Sequence, residues 1–227
     1  MSPANLLLQI PLFESLKSAE RANLTTLLRR LTLEKGEVLF RKGDEGTALF
    51  IIIQGGIKIA YSSKFGDEVT LAIFSKGDFF GEMALLDGMP RSADAVAIEE
   101  TKLFVLNRHD FSSFIVNNPG ALHSVLYALS MRIRKTDDML GETCFMSISM
   151  RLARRLVEMA EKKAGHDSGK KAPIELKLRQ RDLASLLGVS RESINKELKT
   201  LRERGVVTTS RNAITIVDMD VLRRRMR

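Results

Sequence analysis

The sequence predicts an α+β chain in which a strand-rich N-terminal half is followed by a long helix and then by a winged helix-turn-helix. Three observations carry this. Short, partly alternating apolar runs recur between about Leu31 and Leu106, divided by glycine-bearing turns near every tenth residue, the pattern of an antiparallel barrel or sandwich. From Leu122 to Leu140 apolar residues step by four and three, the signature of one long helix. Near the C-terminus two short helical stretches meet at Gly188, and two strand-like runs follow.

Composition bounds the reading. The chain has 227 residues, 44% hydrophobic and 28% charged, ordinary globular usage that excludes disorder as the main state. One cysteine, Cys144, and three histidines exclude a disulfide framework, a cysteine-ligated iron–sulfur cluster and a structural zinc site. No metal is expected, and a reducing, cytoplasmic setting fits best. The longest apolar run, Ala48 to Ile53, is far below the roughly 20 residues of a bilayer span, and the N-terminus lacks the basic and long apolar regions of a signal peptide. No nucleophile–base pair stands out, so an enzyme is not expected.

In chain order, Ser18 to Leu31 has helical character. The strand-like runs begin at Glu37, Ala48, Ile57, Val69 and Thr101, punctuated by Lys42-Gly-Asp, Gln54-Gly-Gly, Phe65-Gly-Asp and Lys76-Gly-Asp. Pro119 can open a helix at its first turn. Its apolar seam runs Leu122, Leu126, Leu129, Ile133, Thr136, Leu140, which fits either an amphipathic helix packed on its own domain or a dimer helix. Thr136 is the one polar seam position, and polarity there costs stability. A second helix spans about Ser147 to Lys163, and a polar linker reaches Pro173. Then come a strand (Ile174 to Leu178), a helix (Gln180 to Leu187), a tight turn at Gly188, a basic helix (Arg191 to Arg204), strands Val206 to Ser210 and Ala213 to Val217, and an Arg-rich end. This order describes a helix-turn-helix with a β-hairpin wing.

Two motifs carry chemistry. In the first, Gly77 to Ala93, Gly81 lets backbone approach a ligand, and the helix-like run from Glu82 through Met83 presents unpaired amides at its start. Arg91 supplies a guanidinium fork and Ser92 a hydroxyl for phosphate, while Glu82 suits a sugar hydroxyl. Together they describe a phosphate and ribose site.

The Gly81-Glu82-x-x-x-Leu86 and Arg91-Ser92-Ala93 elements resemble the phosphate-binding cassette of cyclic-nucleotide-binding domains. The helix-turn-helix with Ser190-Arg191-Glu192-Ser193 resembles that of the CRP/FNR (catabolite activator) family of bacterial transcription factors. The resemblance covers essentially the whole chain. It implies an N-terminal antiparallel β-roll over 1–118, a dimerisation helix over 119–146 and a winged helix-turn-helix over 147–227. It also implies that Glu82 takes the ribose 2′-hydroxyl, that Arg91 and Ser92 hold the cyclic phosphate, and that Leu71 and Ala72 line the base pocket. Thr136 would contact the adenine, with Asp137 contributing from the other subunit. The family commonly has a neutral polar residue at that second position. A carboxylate only accepts hydrogen bonds, which favours the 6-amino group of cAMP over a purine oxygen. The single cysteine cannot supply the cluster of the oxygen-sensing branch, and His109 and His123 read as ordinary histidines rather than haem ligands.

In the second motif, Ser190 is a suitable N-cap for the recognition helix. Arg191, Glu192 and Lys196 can share one face beside Ser193 and Asn195, Arg suited to guanine and Glu to the cytosine amino group. The family commonly has arginine where Lys196 stands, which makes the third base uncertain. Gln180, Lys199 and Arg202 suit phosphates. Charge agrees with this division. Residues 1–118 hold 13 basic and 15 acidic side chains (net −2), 119–146 hold 3 of each, and 147–227 hold 20 and 10, so the whole surplus lies in the last segment. The expected protein is a homodimer controlled by cAMP that binds a palindromic operator in double-stranded DNA, with RNA polymerase as a partner if it activates and no membrane association. Alternatives are another effector, cyclic di-GMP or none, or a signalling module acting through protein contacts.

Overall fold

A computed structural model describes residues 7, 10–13, 16–63, 68–164 and 173–226. The chain divides into two compact units, Met1–Ser62 with Leu71–Lys135 and Ser63–Thr70 with Thr136–Arg227. The turn expected at Phe65-Gly66-Asp67 and the linker over 165–172 lie outside the described residues.

The first unit is built on two four-stranded antiparallel sheets. Helix α1 (Ser18–Leu27) leads into β1 (Arg29–Leu33), β2 (Val38–Phe40), β3 (Ala48–Gln54), β4 (Gly56–Ser62), β5 (Glu68–Ser75) and β6 (Phe79–Phe80). A short helix α2 (Met83–Asp87), strands β7 (Asp94–Ala97) and β8 (Thr101–Asn107), and helix α3 (Arg108–Asn117) follow. The sheets run β1-β8-β3-β6 and β2-β7-β4-β5. Strand β3 shows why one run is almost wholly apolar. Leu49 and Ile51 face a core shared with Phe104, Leu106, Phe111 and Phe114, whereas Phe50 and Ile52 face a second core with Ile57, Phe80, Ala95 and Leu103. Side chains alternate along a strand, so burial of both faces requires a continuous hydrophobic run.

Two expectations are corrected. The helical reading of Ser18 to Leu31 ends at Leu27, because Leu28 turns extended (φ −81°, ψ 126°) and Arg29–Leu33 pair with β8. Sheet pairing there overrides local propensity. Helix α3 was not anticipated. Its start is marked by Asn107, whose side chain accepts from Asp110 N at 2.9 Å, an N-cap arrangement.

The long helix α4 (Pro119–Phe145) has two apolar faces. Ala121 and Val125 are buried against the first unit's core, with Leu129 packed at its edge. The seam residues Leu126, Ile133 and Leu140 are 54%, 61% and 63% exposed, so this stripe of the heptad seam is left uncovered on a single chain, whereas Leu129 of the same seam packs on the core.

In the second unit, helices α5 (Ile148–Ala164), α6 (Gln180–Leu187) and α7 (Arg191–Glu203) surround one core with a three-stranded sheet, β10 (Val207–Thr209), β11 (Ile214–Ile216) and β9 (Ile174–Leu176), in the order β10-β11-β9. Leu152, Leu156, Ala160, Leu183, Ile194, Leu198, Leu201 and Ile216 are buried in it. The Arg-rich end forms helix α8 (Met219–Arg224), capped by Asp218 and anchored by buried Leu222, where sequence reading had assigned no element. No helix among the described residues is long and apolar enough to cross a membrane.

Phe80, 1% exposed and stacked on Phe50 at 5.4 Å, is a keystone between the sheets. Phe80→Ala is expected to cost about 3–5 kcal/mol, read from the shift of a urea unfolding midpoint.

Candidate functional site

The cassette is assembled from backbone outward. Gly81 follows β6 with φ +85°, and a Cβ added there would lie 2.7 Å from Arg91 Nη1 and 3.2 Å from Ala48 O. Both the dihedral and the space demand glycine. Its carbonyl accepts from Arg91 Nη1 at 2.8 Å, and Ala48 O accepts from Arg91 Nη2 at 2.8 Å. The Arg91 guanidinium lies 4.3 Å from the centre of the Phe40 ring and 5.4 Å from that of Phe50, a cation–π cradle. The Arg91 backbone is pinned as well, its N–H donating to Asp44 O at 2.8 Å and its carbonyl accepting from Gly43 N at 2.9 Å. Burial lowers the Arg91 pKa, while the field of Glu82 opposes that shift. A guanidinium stays charged at neutral pH through such a shift.

Glu82 is buried to 1% exposure. Its backbone carbonyl takes the amides of Leu85 and Leu86, both at 3.0 Å, and so starts α2. The two carboxylate oxygens have different fates. Oε1 is paired with the guanidinium of Arg132 from α4, which also donates to Phe79 O. Oε2 is buried without a partner, as is Arg91 Nε. The site thus holds one orphaned acceptor on a carboxylate and one orphaned donor on a cation, a set suited to a ligand carrying a hydroxyl and an anion.

Arg132 was missed by sequence reasoning. It also lies 4.5 Å from the Phe74 ring centre and 5.3 Å from that of Phe79. The signal available was its place four residues before Thr136, one turn earlier on the same helix face. Arg108 was missed too. It donates to Gly46 O at 2.6 Å and to Ala84 O at 3.0 Å, bracing α2.

The other expected ligand residues are placed as follows. Ser92 and Met83 are exposed and adjacent, Ser92 Oγ 3.8 Å from Met83 Sδ. Leu71 and Ala72 are consecutive in β5, so their side chains leave opposite faces of the sheet. Ala72 shares the face of Phe74, which stacks on Phe80 at 6.0 Å, whereas Leu71 is 38% exposed. The pair therefore cannot both line one pocket through their side chains. Thr136 and Asp137 are exposed on α4.

In the helix-turn-helix, Gly188 closes α6 in the left-handed region (φ 61°, ψ 40°), and Ser190 caps α7 by accepting from Ser193 N at 3.1 Å. Ile194, Leu198 and Leu201 bury one face of α7. Arg191, Glu192, Lys196 and Lys199 are exposed, and Ser193 and Asn195 are half-buried, as is Gln180 at the start of α6. Arg202 donates to Thr209 Oγ1 of β10 at 3.3 Å, and Lys199 lies 3.9 Å from Glu203.

Residues 30–118 match the description "Cyclic nucleotide-binding domain" and residues 150–225 "Crp-like helix-turn-helix domain". The chain is 31% identical over 216 residues to a CRP-like cAMP-activated global transcriptional regulator of Mycobacterium tuberculosis, covering 95% of this chain and 96% of the other. The chain belongs to the CRP/FNR family of transcription regulators. It is likewise 32% identical over 212 residues to the cyclic AMP receptor protein of Thermus thermophilus, covering 93% and 94% of the two chains. A CRP/FNR-family regulator of Eubacterium rectale shares the fold, with TM-score 0.81, 20% identity and coverage of 96% and 98%. So does the c-di-GMP-responsive regulator CLP of Xanthomonas campestris, with TM-score 0.80, 21% identity and coverage of 89% and 100%. Membership gives the two halves their classes, a cyclic-nucleotide-binding domain and a DNA-binding domain.

Gly36 shares the positive φ of Gly81, at +87°, yet has nothing within 4 Å of an added Cβ. Gly36→Ala is therefore expected to lose only the conformational cost, about 1–3 kcal/mol, and Gly81→Ala distinctly more in the same urea titration. Equal losses would remove the crowding against Arg91. For the cap, Ser190→Ala is expected to cost about 1 kcal/mol, measured as the change in unfolding free energy.

Proposed function

We propose that this regulator works in the bacterial cytoplasm as a homodimer that binds cAMP in its cassette and, in response, a palindromic operator. The observation that carries the effector reading is the pair of orphaned buried atoms, Glu82 Oε2 and Arg91 Nε. Glu82 Oε2 would accept a ribose hydroxyl. Arg91 and the Ser92 hydroxyl would hold the cyclic phosphate, its charge relieving the cost of a buried guanidinium. Gly81, Met83 and Ala72 would shape the pocket. Thr136, one turn beyond Arg132 on α4, would contact the base, and Asp137 of the other subunit would accept from its 6-amino group. The cAMP-binding relatives from Mycobacterium and Thermus support this choice of nucleotide.

The exposed stripe Leu126, Ile133, Leu140 supports pairing of two α4 helices, since apolar residues recurring every seventh position line one face of a helix and suit a helical partner. Two recognition helices would then enter successive major grooves about 34 Å apart. Arg191, Glu192 and Lys196 would read bases beside Ser193 and Asn195, and Gln180 and Lys199 would grip phosphates. Arg202, already bonded to the wing, would add to the phosphate field. If the outcome is activation, RNA polymerase is the further partner.

Calorimetry with cAMP, cGMP and cyclic di-GMP tests the effector. Binding of cAMP is expected, and Arg91→Ala should weaken it at least about thirtyfold, equivalent to about 2 kcal/mol. Undiminished binding by that variant would remove the cassette assignment, and binding of cyclic di-GMP alone would replace the effector. For DNA, Arg191→Ala is expected to relax discrimination at one base position by about 1–3 kcal/mol. Lys199→Ala should weaken all sequences alike and lower the salt slope by about 0.9. Identical profiles for the two variants in a fluorescence-anisotropy titration would sink that division of roles.

A further inference from the structure

Arg151, in the first turn of α5, is 8% exposed, an uncommon place for a guanidinium outside a ligand site. Its Nη1 donates to Leu187 O at 2.8 Å and approaches Thr143 Oγ1 at 3.4 Å. Leu187 is the last residue of α6, where carbonyls lack intrahelical donors and a cation is favoured. The next residues are Gly188, in its left-handed conformation, and Val189, and Ser190 then caps the recognition helix. Thr143 stands in the final turn of α4, and its hydroxyl is itself held by Met139 O at 2.8 Å. One buried side chain on α5 therefore meets both the end of the long helix and the turn from which the recognition helix departs.

A neighbouring pair reinforces the α4 side of this junction without reaching the turn. Arg154, one turn along α5, pairs with Glu142 of α4 at 3.3 Å. Beside Arg151 lies a cavity of about 170 Å³, lined also by Met139, Glu142, Arg155 and Gly188, and Arg151 Nε has no partner. The cavity leaves open space beside the guanidinium, whose hydrogen bonds run to one acceptor on α4 and one at the end of α6. A shift of the last turn of α4 would move one acceptor relative to the other, and Arg151 would pass the shift to Leu187.

We propose that Arg151 is the positioning residue through which the C-terminal turn of α4 sets the attitude of the recognition helix. The link from that attitude to the effector rests on the function proposed above; the mechanical part does not. The test uses the full chain with Thr143→Val, a change at an exposed position that removes the α4 arm together with the local bond to Met139 O, alongside Arg151→Lys and Arg151→Gln.

Amide hydrogen exchange in the ligand-free protein is the first readout. Thr143→Val is expected to speed exchange of amides 188–193 at least about threefold although the change lies on α4. Arg151→Gln should speed it further, and Arg151→Lys should restore part of the protection. Wild-type exchange at 188–193 in Thr143→Val would overturn the proposal even if Arg151→Gln fails to fold. The second readout is the factor by which cAMP raises operator affinity, a coupling expected to fall at least about fivefold in Arg151→Gln with the cAMP affinity of the DNA-free protein unchanged. A wild type that shows no such factor would defeat the effector reading, and the exchange result would still decide the role of Arg151.

Discussion

A guanidinium held inside a protein must keep its charge satisfied, and the cassette is arranged around that requirement at Arg91. Desolvation is the largest influence on the group. An isolated buried charge is costly enough that its surroundings must supply compensating dipoles. Two carbonyls, two aromatic faces and the field of one carboxylate provide them, drawn from three segments of the chain. Ala48 O and Phe50 belong to β3, Phe40 lies in β2, and Gly81 O and Glu82 are neighbours between β6 and α2. Meeting the needs of one side chain thus fixes the placement of three pieces of chain around it. Glycine is required at position 81 because its carbonyl must turn inward where a Cβ would collide with the group it serves.

The sheets make this placement rigid. Because β3 is buried on both faces, its Phe50 and Ile52 form the core under the cassette while Leu49 and Ile51 anchor the opposite side against α3 and α4. Ala48, whose carbonyl holds Arg91, pairs with Asn107 of β8, and Asn107 caps α3. Close packing transmits strain rather than absorbing it, so a change at Arg91 is felt along a strand that both cores share.

Some of this was legible in the sequence, for physical reasons that differ by element. The helix-turn-helix could be read almost to the residue because its punctuation is local. Gly188 supplies a left-handed turn and Ser190 a cap, and the Ile194, Leu198, Leu201 stripe has one buried face. The segment Arg29–Leu33 was misread because its pairing partner, β8, lies about seventy residues away. Arg132 was invisible for a similar reason. Its partner Glu82 is fifty residues distant, and within the heptad pattern it is only an off-seam charge. Leu71 and Ala72 show a limit of transferring a pocket by position. Two consecutive strand residues cannot present side chains to one face, and only the strand geometry reveals which one turns inward. Helix α8 escaped because its anchor is one buried leucine, Leu222, among arginines.

The long helix draws these threads together, because its faces answer to different demands. Ala121 and Val125 tie its N-terminal turns to the sensor core, and Arg132 grips Glu82 inside the cassette. Leu126, Ile133 and Leu140 form a separate apolar stripe open to solvent. The contact between Glu82 and Arg132 therefore ties the cassette to the same helix that carries the stripe. A ligand at Glu82 shifts that helix only if its affinity differs between the arrangements of the helix. Thr136 follows Arg132 by one turn on the same face, which is the geometric basis of the base contact proposed for it. Its polarity is a cost if the seam serves packing alone, and under the proposed dimer that cost is offset by the contact with the nucleotide.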